Sequence, residues 1–167
     1  TILTGPLGSY AGSVPEGTFT VIARHDGFRP DTTLSVPIVA GQTTTRDFSL
    51  VDIAGPEITA TAVGSTSDTL GPYTVPVSIS DPSGITGKTL YYRTSGEDFT
   101  PVSLSLVSDD SYLGEIPGQG YVTRVEYYVS AIDGAGLAAT DPPDAPTSLY
   151  SFFVAPSLGL FADDMEG

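Results

Sequence analysis

The sequence predicts an all-β protein made of two consecutive β-sandwiches, the first incomplete and the second with seven strands. Two observations favour this fold class. Short runs of alternating apolar and polar residues dominate the chain, and no segment shows the apolar i, i+3, i+4, i+7 pattern of a helix. Glycine and proline account for 19 and 14 of the 167 residues and interrupt nearly every window of ten. We therefore expect short strands joined by turns.

The first sandwich is predicted over residues 1–52. Three strands alternate in polarity and are rich in residues that favour strands, at 19–23, 32–39 and 43–50. Turns are predicted at 24–27 and 40–42, and the first of them ends in Gly27, which tolerates a positive φ. A sandwich needs more strands than these three, so this one is expected to be incomplete.

Residues 5–50 resemble the later half of the carboxypeptidase regulatory-like β-sandwich. The segments VPEGTFTV at 14–21, GF at 27–28 and AGQTTTRDFSL at 40–50 carry the similarity. The opening strands of that family would precede Tyr10. The resemblance therefore implies that one or two strands of this sandwich are missing.

The second sandwich is predicted over residues 57–155, after a linker at 52–56. Its seven strands are expected at about 57–63, 73–80, 87–94, 101–107, 110–116, 123–132 and 148–154. Turn-forming clusters separate them, among them DPSG at 81–84 and DGAG at 133–136. Seven short strands at this spacing are typical of a β-sandwich.

Residues 55–155 resemble the immunoglobulin-like or fibronectin-III-like modules of large bacterial secreted peptidases and surface proteins. Four segments carry the similarity: GPYTVPVSISDPSGI at 71–85, LYYR at 90–93, YLGEIPGQ at 112–119 and VEYYVSAIDGAG at 125–136. The resemblance implies an immunoglobulin-like fold and a location outside the cell or at its surface. Residues 156–167 are expected to be a tail or the first strand of a following module.

Composition limits the classes of partner. The chain has 20 acidic and 6 basic side chains, a formal net charge of −14, which argues against nucleic-acid binding because phosphates are neutralised by Lys and Arg. No segment approaches the ~20 apolar residues of a membrane span, so no membrane insertion is expected. The expected partners are neighbouring domains or subunits of the same assembly, or a glycan.

No catalytic constellation is visible in the sequence. His25 is the only histidine, and it lies in a predicted turn. Cysteine is absent. The G-x-S-x-G pattern of a nucleophile elbow does not occur. We therefore expect a protein that is not an enzyme and has no cofactor, although a Ca²⁺ ion is a candidate ligand.

Two acidic groups are candidates for that ion. Asp81 and Asp133 follow strands that end at the same pole of an immunoglobulin-like sandwich, and clustered carboxylates suit Ca²⁺. The alternative is that both are turn formers that bond their own backbone. The second group is Asp163, Asp164 and Glu166, whose F-x-D-D-x-E context resembles the first strand of a jelly-roll module; the alternative is a solvated acidic tail.

Strand alternation also predicts an aromatic patch. Along 123–132, Tyr127 falls on the core face and Tyr128 on the outer face; along 87–94, Tyr92 falls inside while Tyr91 and Arg93 fall outside. These two strands are neighbours in the expected fold. Tyr91, Arg93 and Tyr128 could then form an interface or a ligand patch, although outward tyrosines also simply suit a strand surface.

The function predicted from these observations is that of a non-catalytic extracellular module with a structural or adhesive role. Two alternatives remain. One is a self-assembling fibre subunit, in which residues 157–162 would donate a strand to the open first sandwich of a neighbour. The other is a carbohydrate-binding module that uses the aromatic patch.

Overall fold

The computed structural model describes residues 1–5 and 8–156, and all regular secondary structure in this part of the chain is β, which confirms the all-β fold class. The chain divides into two compact units, Thr1–Ala54 and Gly55–Gly167. No described segment forms a helix capable of crossing a membrane.

The first unit contains four strands: β1 (Gly17–Ala23), β2 (Phe28–Arg29), β3 (Asp31–Ile38) and β4 (Val51–Asp52). β1 pairs with β3 and β2 pairs with β4, so the unit holds two antiparallel two-stranded sheets. Among its described residues, Val36 is the only buried hydrophobic side chain. The apolar core of this unit is therefore small.

The third strand predicted in the first unit, at 43–50, does not form. Side chains hold this segment instead: the Thr44 hydroxyl donates to the Pro37 carbonyl at 3.0 Å, and the Asp31 carboxylate accepts the Ser49 N–H at 3.0 Å. Proline has no amide hydrogen, so β3 cannot offer a continuous ladder at this edge. Residues 43–50 therefore form no backbone ladder, and the short strand β4, which follows them, pairs with β2.

The second unit contains nine strands: β5 (Glu57–Ala60), β6 (Tyr73–Ser80), β7 (Ile85–Thr94), β8 (Thr100–Ser103), β9 (Ser105–Ser108), β10 (Ser111–Ile116), β11 (Thr123–Asp133), β12 (Ala138–Asp141) and β13 (Tyr150–Val154). One sheet has the order β5-β6-β10-β9. The other has the order β12-β11-β7-β8, and β13 also pairs with β11. All of these pairs are antiparallel.

The two sheets of the second unit enclose one core, because their strands alternate in polarity. In β6, every second side chain is buried from Tyr73 to Ile79, and β11 buries Val125, Tyr127 and Val129 in the same way. Other members come from the remaining strands: Ala60, Leu90, Leu104, Ile116, Phe152 and Val154. Burying each large apolar side chain contributes roughly 1.5–3 kcal/mol, so this core dominates the stability of the unit.

The nine strands differ from the seven predicted ones at two places. The run predicted at 101–107 is divided at Leu104, where the chain leaves one sheet for the other: β8 pairs with β7, and β9 pairs with β10. Leu104 is buried at this crossing. The strand β12 was not predicted, because Ala138–Asp141 is short and contains few residues that favour strands.

Candidate functional site

The outer face of the second sheet carries the predicted aromatic patch. β7 and β11 pair so that Tyr91 lies opposite Tyr128 and Arg93 lies opposite Glu126. Tyr127 is fully buried on the other face, as the alternation predicted. We call the outward cluster the aromatic–arginine face; it comprises Tyr91, Arg93, Phe99, Arg124, Glu126, Tyr128 and Phe153.

The aromatic rings of this face pack against each other. Tyr91 and Tyr128 are stacked with centroids 5.0 Å apart and planes 14° from parallel, and Phe99 meets Tyr128 edge-on at 5.1 Å. Each such pair contributes roughly 0.5–1.5 kcal/mol beyond its buried area. Burial raises the pKa of the Tyr128 hydroxyl, and the neighbouring Tyr91 adds to the rise. The three rings are half-buried and pack against one another.

A charged network continues the aromatic cluster. Arg93 Nε lies 2.9 Å from a Glu126 carboxylate oxygen, and Arg124 Nε lies 3.5 Å from the other. The Arg93 guanidinium also lies 4.5 Å from the Phe99 ring centroid, and that of Arg124 lies 6.0 Å from Phe153. Two arginines share one carboxylate, so the face carries an excess positive charge.

Sequence reasoning missed Phe99 as a member of this face. Phe99 precedes β8 and follows the turn residues Glu97 and Asp98, so no strand alternation assigns it to a face. The edge-on contact with Tyr128 and the Arg93 guanidinium above its ring show its position. The available signal was an aromatic residue next to a predicted hairpin turn, just before the strand that follows Tyr91's strand in the sequence.

A polar groove adjoins the face at the β7–β8 hairpin. It has a volume of about 390 Å³ and is lined by Tyr92, Arg93, Thr94, Glu97, Asp98, Thr100 and Gln119. Arg93 belongs to both the groove and the aromatic–arginine face. The groove combines one aromatic side chain with hydrogen-bonding groups of both charges, so it can hold a polar segment of a partner.

The second candidate site lies at one pole of the second unit, and we call it the acidic pole. The structure brings Asp81 and Asp133 together, with carboxylate oxygens within 4.8 Å of each other. Asp81 Oδ1 accepts the N–H and the hydroxyl of Ser83, both at 2.7 Å, and Asp133 Oδ1 accepts the Leu137 N–H at 2.8 Å. Both residues are thus turn formers, and they also converge.

Backbone contacts between the two turns fix this convergence. The Gly134 N–H donates to the Gly84 carbonyl at 2.9 Å, and the Thr86 hydroxyl donates to the Asp133 carbonyl at 2.7 Å. A Cβ at Gly134 would clash with the carbonyl oxygen of Ser83. Glycine is required at this position because the two backbones approach so closely.

The remaining candidates from the sequence are His25 and the acidic residues near the end of the chain. His25 is exposed, its Nδ1–H donates to the Asp26 carbonyl at 2.7 Å, and its ring meets Phe28 edge-on at 5.2 Å. Asp163, Asp164 and Glu166 lie outside the described residues.

Comparisons with known proteins add no family. No protein-family model matches the chain, and a search of curated proteins finds no match.

Proposed function

We propose that this chain is a non-catalytic structural and adhesive module of a bacterial secreted or surface protein, located outside the cell. The aromatic–arginine face is its binding surface, and a second copy of the chain is its partner. The observation that carries the proposal is the cluster of stacked tyrosines, Phe99 and two arginines on the outer side of a well-packed sheet.

The composition and rigidity of the face favour an interface. Aromatic residues and arginine are enriched in protein–protein interfaces relative to other surface. Tyr91, Arg93 and Tyr128 project from two directly paired strands, so their positions are set before any partner arrives. Binding to a preordered surface loses less conformational entropy than binding to a mobile loop.

Charge complementarity favours a second copy of the chain as the partner. The second unit has three basic side chains, and two of them, Arg93 and Arg124, lie on the aromatic–arginine face. The third, Lys88, lies over the Tyr112 ring at 4.8 Å. Because the whole chain has 20 acidic and 6 basic side chains, most of its other charged groups are acidic and complement the arginines. A contact between two unlike surfaces repeats from copy to copy and builds an assembly.

The strand order supports a structural role. The orders β5-β6-β10-β9 and β12-β11-β7-β8 correspond to the arrangement of an immunoglobulin-like sandwich, in which two antiparallel sheets enclose one core. The resemblances to modules of bacterial secreted and surface proteins support a location outside the cell.

A glycan fits the face less well than a protein. Sugar-binding platforms present open aromatic ring faces, whereas Tyr91 and Tyr128 stack on each other and Phe99 covers an edge. A protein partner uses ring edges, guanidinium groups and the adjoining polar groove together.

Sedimentation velocity of the full chain over a wide concentration range tests the proposal. We expect concentration-dependent association that weakens with added salt, because the contact pairs arginines with acidic groups. The variant Arg93→Gln/Glu126→Gln/Arg124→Gln keeps hydrogen-bonding groups and should lose association, as should Phe99→Ser. Leu106→Ser, an exposed apolar residue on β9 in the opposite sheet, is the matched control and should associate like the parent.

Thermal unfolding of each variant shows whether it is folded. A parent chain that stays monomeric at its highest concentration refutes self-association through this face. Glycan-array binding that Phe99→Ser abolishes would assign the face to a carbohydrate instead.

One observation favours a second candidate function, a fibre subunit assembled by strand donation. In the described part of the first unit, β1 pairs only with β3, and Ile22 and Leu34 on these strands are exposed. Open strand edges beside exposed apolar residues are templates for another strand. The donor segment expected at 157–162 lies outside the described residues. If a deletion after Pro156 leaves oligomeric state and melting temperature unchanged, strand donation by that segment is wrong.

A further inference from the structure

We infer that the acidic pole is a divalent-cation site, in which Asp81 and Asp133 bind Ca²⁺ and join the turn 81–84 to the turn 133–137. This inference goes beyond the proposed function and does not depend on it.

The main observation is an unpartnered carboxylate oxygen. Asp133 is 1% exposed, and its Oδ2 is buried with no hydrogen-bond partner in the described structure, whereas its Oδ1 accepts the Leu137 N–H. Buried polar atoms are almost always hydrogen-bonded, and a buried charge without a partner is costly. A ligand at Oδ2 resolves this cost.

The second carboxylate shows what kind of ligand fits. Asp81 uses Oδ1 for both of its bonds to Ser83, so its Oδ2 remains available to a ligand. Both carboxylates repel each other at a separation within 4.8 Å, and within the described residues neither forms an ion pair with Lys or Arg. A cation between them replaces this repulsion by two attractions.

The donor atoms select a hard cation. Both groups offer only carboxylate oxygen, which suits Ca²⁺ and Mg²⁺ and not the nitrogen and sulfur sites of zinc. Calcium takes oxygen ligands at about 2.3–2.6 Å with flexible geometry, so one ion can bridge two oxygens separated by up to about twice that distance. The smaller Mg²⁺ requires near-octahedral geometry and keeps its waters. Waters complete the coordination of Ca²⁺.

The location of the site predicts what the ion does. The turn 81–84 connects β6 in one sheet to β7 in the other, and the turn 133–137 connects β11 to β12. An ion held by Asp81 and Asp133 therefore clamps the two sheets at one end of the sandwich. Because it binds only the folded chain, it stabilises that state by an amount that grows with the logarithm of the Ca²⁺ concentration once this exceeds Kd.

Thermal unfolding of the full chain in CaCl₂ against EGTA, with calorimetric titration of Ca²⁺, tests the inference. Two carboxylates predict weak binding, with a Kd of roughly 10⁻⁴–10⁻³ M. At about ten times this concentration the melting temperature should be about 5 °C higher, and above it the rise should continue with the logarithm of the Ca²⁺ concentration. Mg²⁺ should give a smaller rise.

Matched variants locate the site. Asp133→Asn keeps an oxygen for the Leu137 N–H and places an amide near Asp81, so it should fold and melt at or above the calcium-free parent. It should lose the calcium response and the titration heat, as should Asp81→Asn. The responses of Glu115→Gln, an exposed position on β10, and of Asp163→Asn/Asp164→Asn/Glu166→Gln should equal that of the parent.

Three results overturn the inference. The first is a parent chain whose melting temperature Ca²⁺ does not change. The second is a calcium response that survives in Asp133→Asn. The third is a response that only the triple variant at 163, 164 and 166 abolishes, which would move the binding to those residues.

Discussion

At the scale of single residues, two adjacent tyrosines have opposite roles because side chains alternate along β11. Tyr127 is fully buried, stacks on Tyr150 with centroids 5.3 Å apart, and its hydroxyl accepts the Val63 N–H at 2.8 Å. Tyr128 points outward and packs on Tyr91 and Phe99. The first residue stabilises the core, and the second forms part of the aromatic–arginine face.

Replacing each tyrosine by alanine should separate these roles. Tyr127→Ala leaves a cavity and an unpaired Val63 N–H, so it should lower the free energy of unfolding by about 3–5 kcal/mol. Tyr128→Ala loses two surface aromatic contacts and should cost about 1–2 kcal/mol. Urea unfolding measures both. Equal losses would show that the two faces of β11 are wrongly assigned.

Tyr150 predicts how stability depends on alkaline pH. Burial, followed by the hydrogen bond to Asp141 and the charge of that carboxylate, raises the pKa of Tyr150 to about 12 from 10.0. Above pH 10.0 the unfolded chain releases this proton while the folded chain keeps it until about pH 12. The free energy of unfolding should therefore be unaffected below pH 10.0 and fall between pH 10.0 and about 12.

The variant Tyr150→Phe isolates this contribution. It loses the hydrogen bond to Asp141, so it should be less stable than the parent at neutral pH. Its free energy of unfolding should then decline less steeply than the parent's above pH 10.0. Urea unfolding at a series of alkaline pH values gives both slopes. Identical slopes would contradict the link between Tyr150 and alkaline unfolding.

At the scale of strands, the sequence predicts an element well when apolar and polar residues alternate strictly along it. It predicts an element poorly when pairing with another strand determines whether it forms and which sheet it joins. β6 was predicted at its observed bounds, and β11 differs from its prediction by one residue. The division at Leu104 depends on which sheet each half of the predicted strand joins. The predicted strand 43–50 does not pair with β3, because Pro37 has no amide hydrogen to donate. These outcomes depend on tertiary contacts that no local pattern encodes.

The candidate sites show the same limit. Tyr91, Arg93 and Tyr128 follow from alternation along two strands, and the convergence of Asp81 with Asp133 follows from the pole that their turns share. Phe99 lies beside a turn, where alternation says nothing. The unpartnered oxygen of Asp133 depends on side-chain packing and hydrogen bonding, so only the folded structure shows it.

Gly114 in β10 tests the closeness of the two sheets. A Cβ at this position would lie 2.6 Å from Leu90 Cδ2 and 3.0 Å from Leu104 Cδ2, both inside the core. Gly114→Ala should therefore lower the free energy of unfolding by about 1–3 kcal/mol through overpacking. Gly120→Ala, where a Cβ meets nothing within 4 Å, is the matched control and should change little. A neutral Gly114→Ala would mean that the sheets are farther apart.

At the scale of the whole molecule, the two units differ in how much apolar surface they bury. The core of the second unit joins residues from both of its sheets, whereas Val36 is the buried hydrophobic residue of the first unit's described part. A net charge of −14 opposes non-specific association, so contacts between copies need a surface that offers positive charge. The aromatic–arginine face offers it through Arg93 and Arg124.

The most direct test of this account is carbene labelling of side chains in dilute and concentrated solutions of the full chain, with residue-level readout by mass spectrometry. The account predicts that concentration lowers the labelling of Arg93, Phe99 and Phe153, because another copy covers the aromatic–arginine face. Labelling of Leu106 on the opposite sheet should not change. Labelling of Phe99 and Phe153 that is independent of concentration, or protection confined to Leu106, would contradict binding through this face.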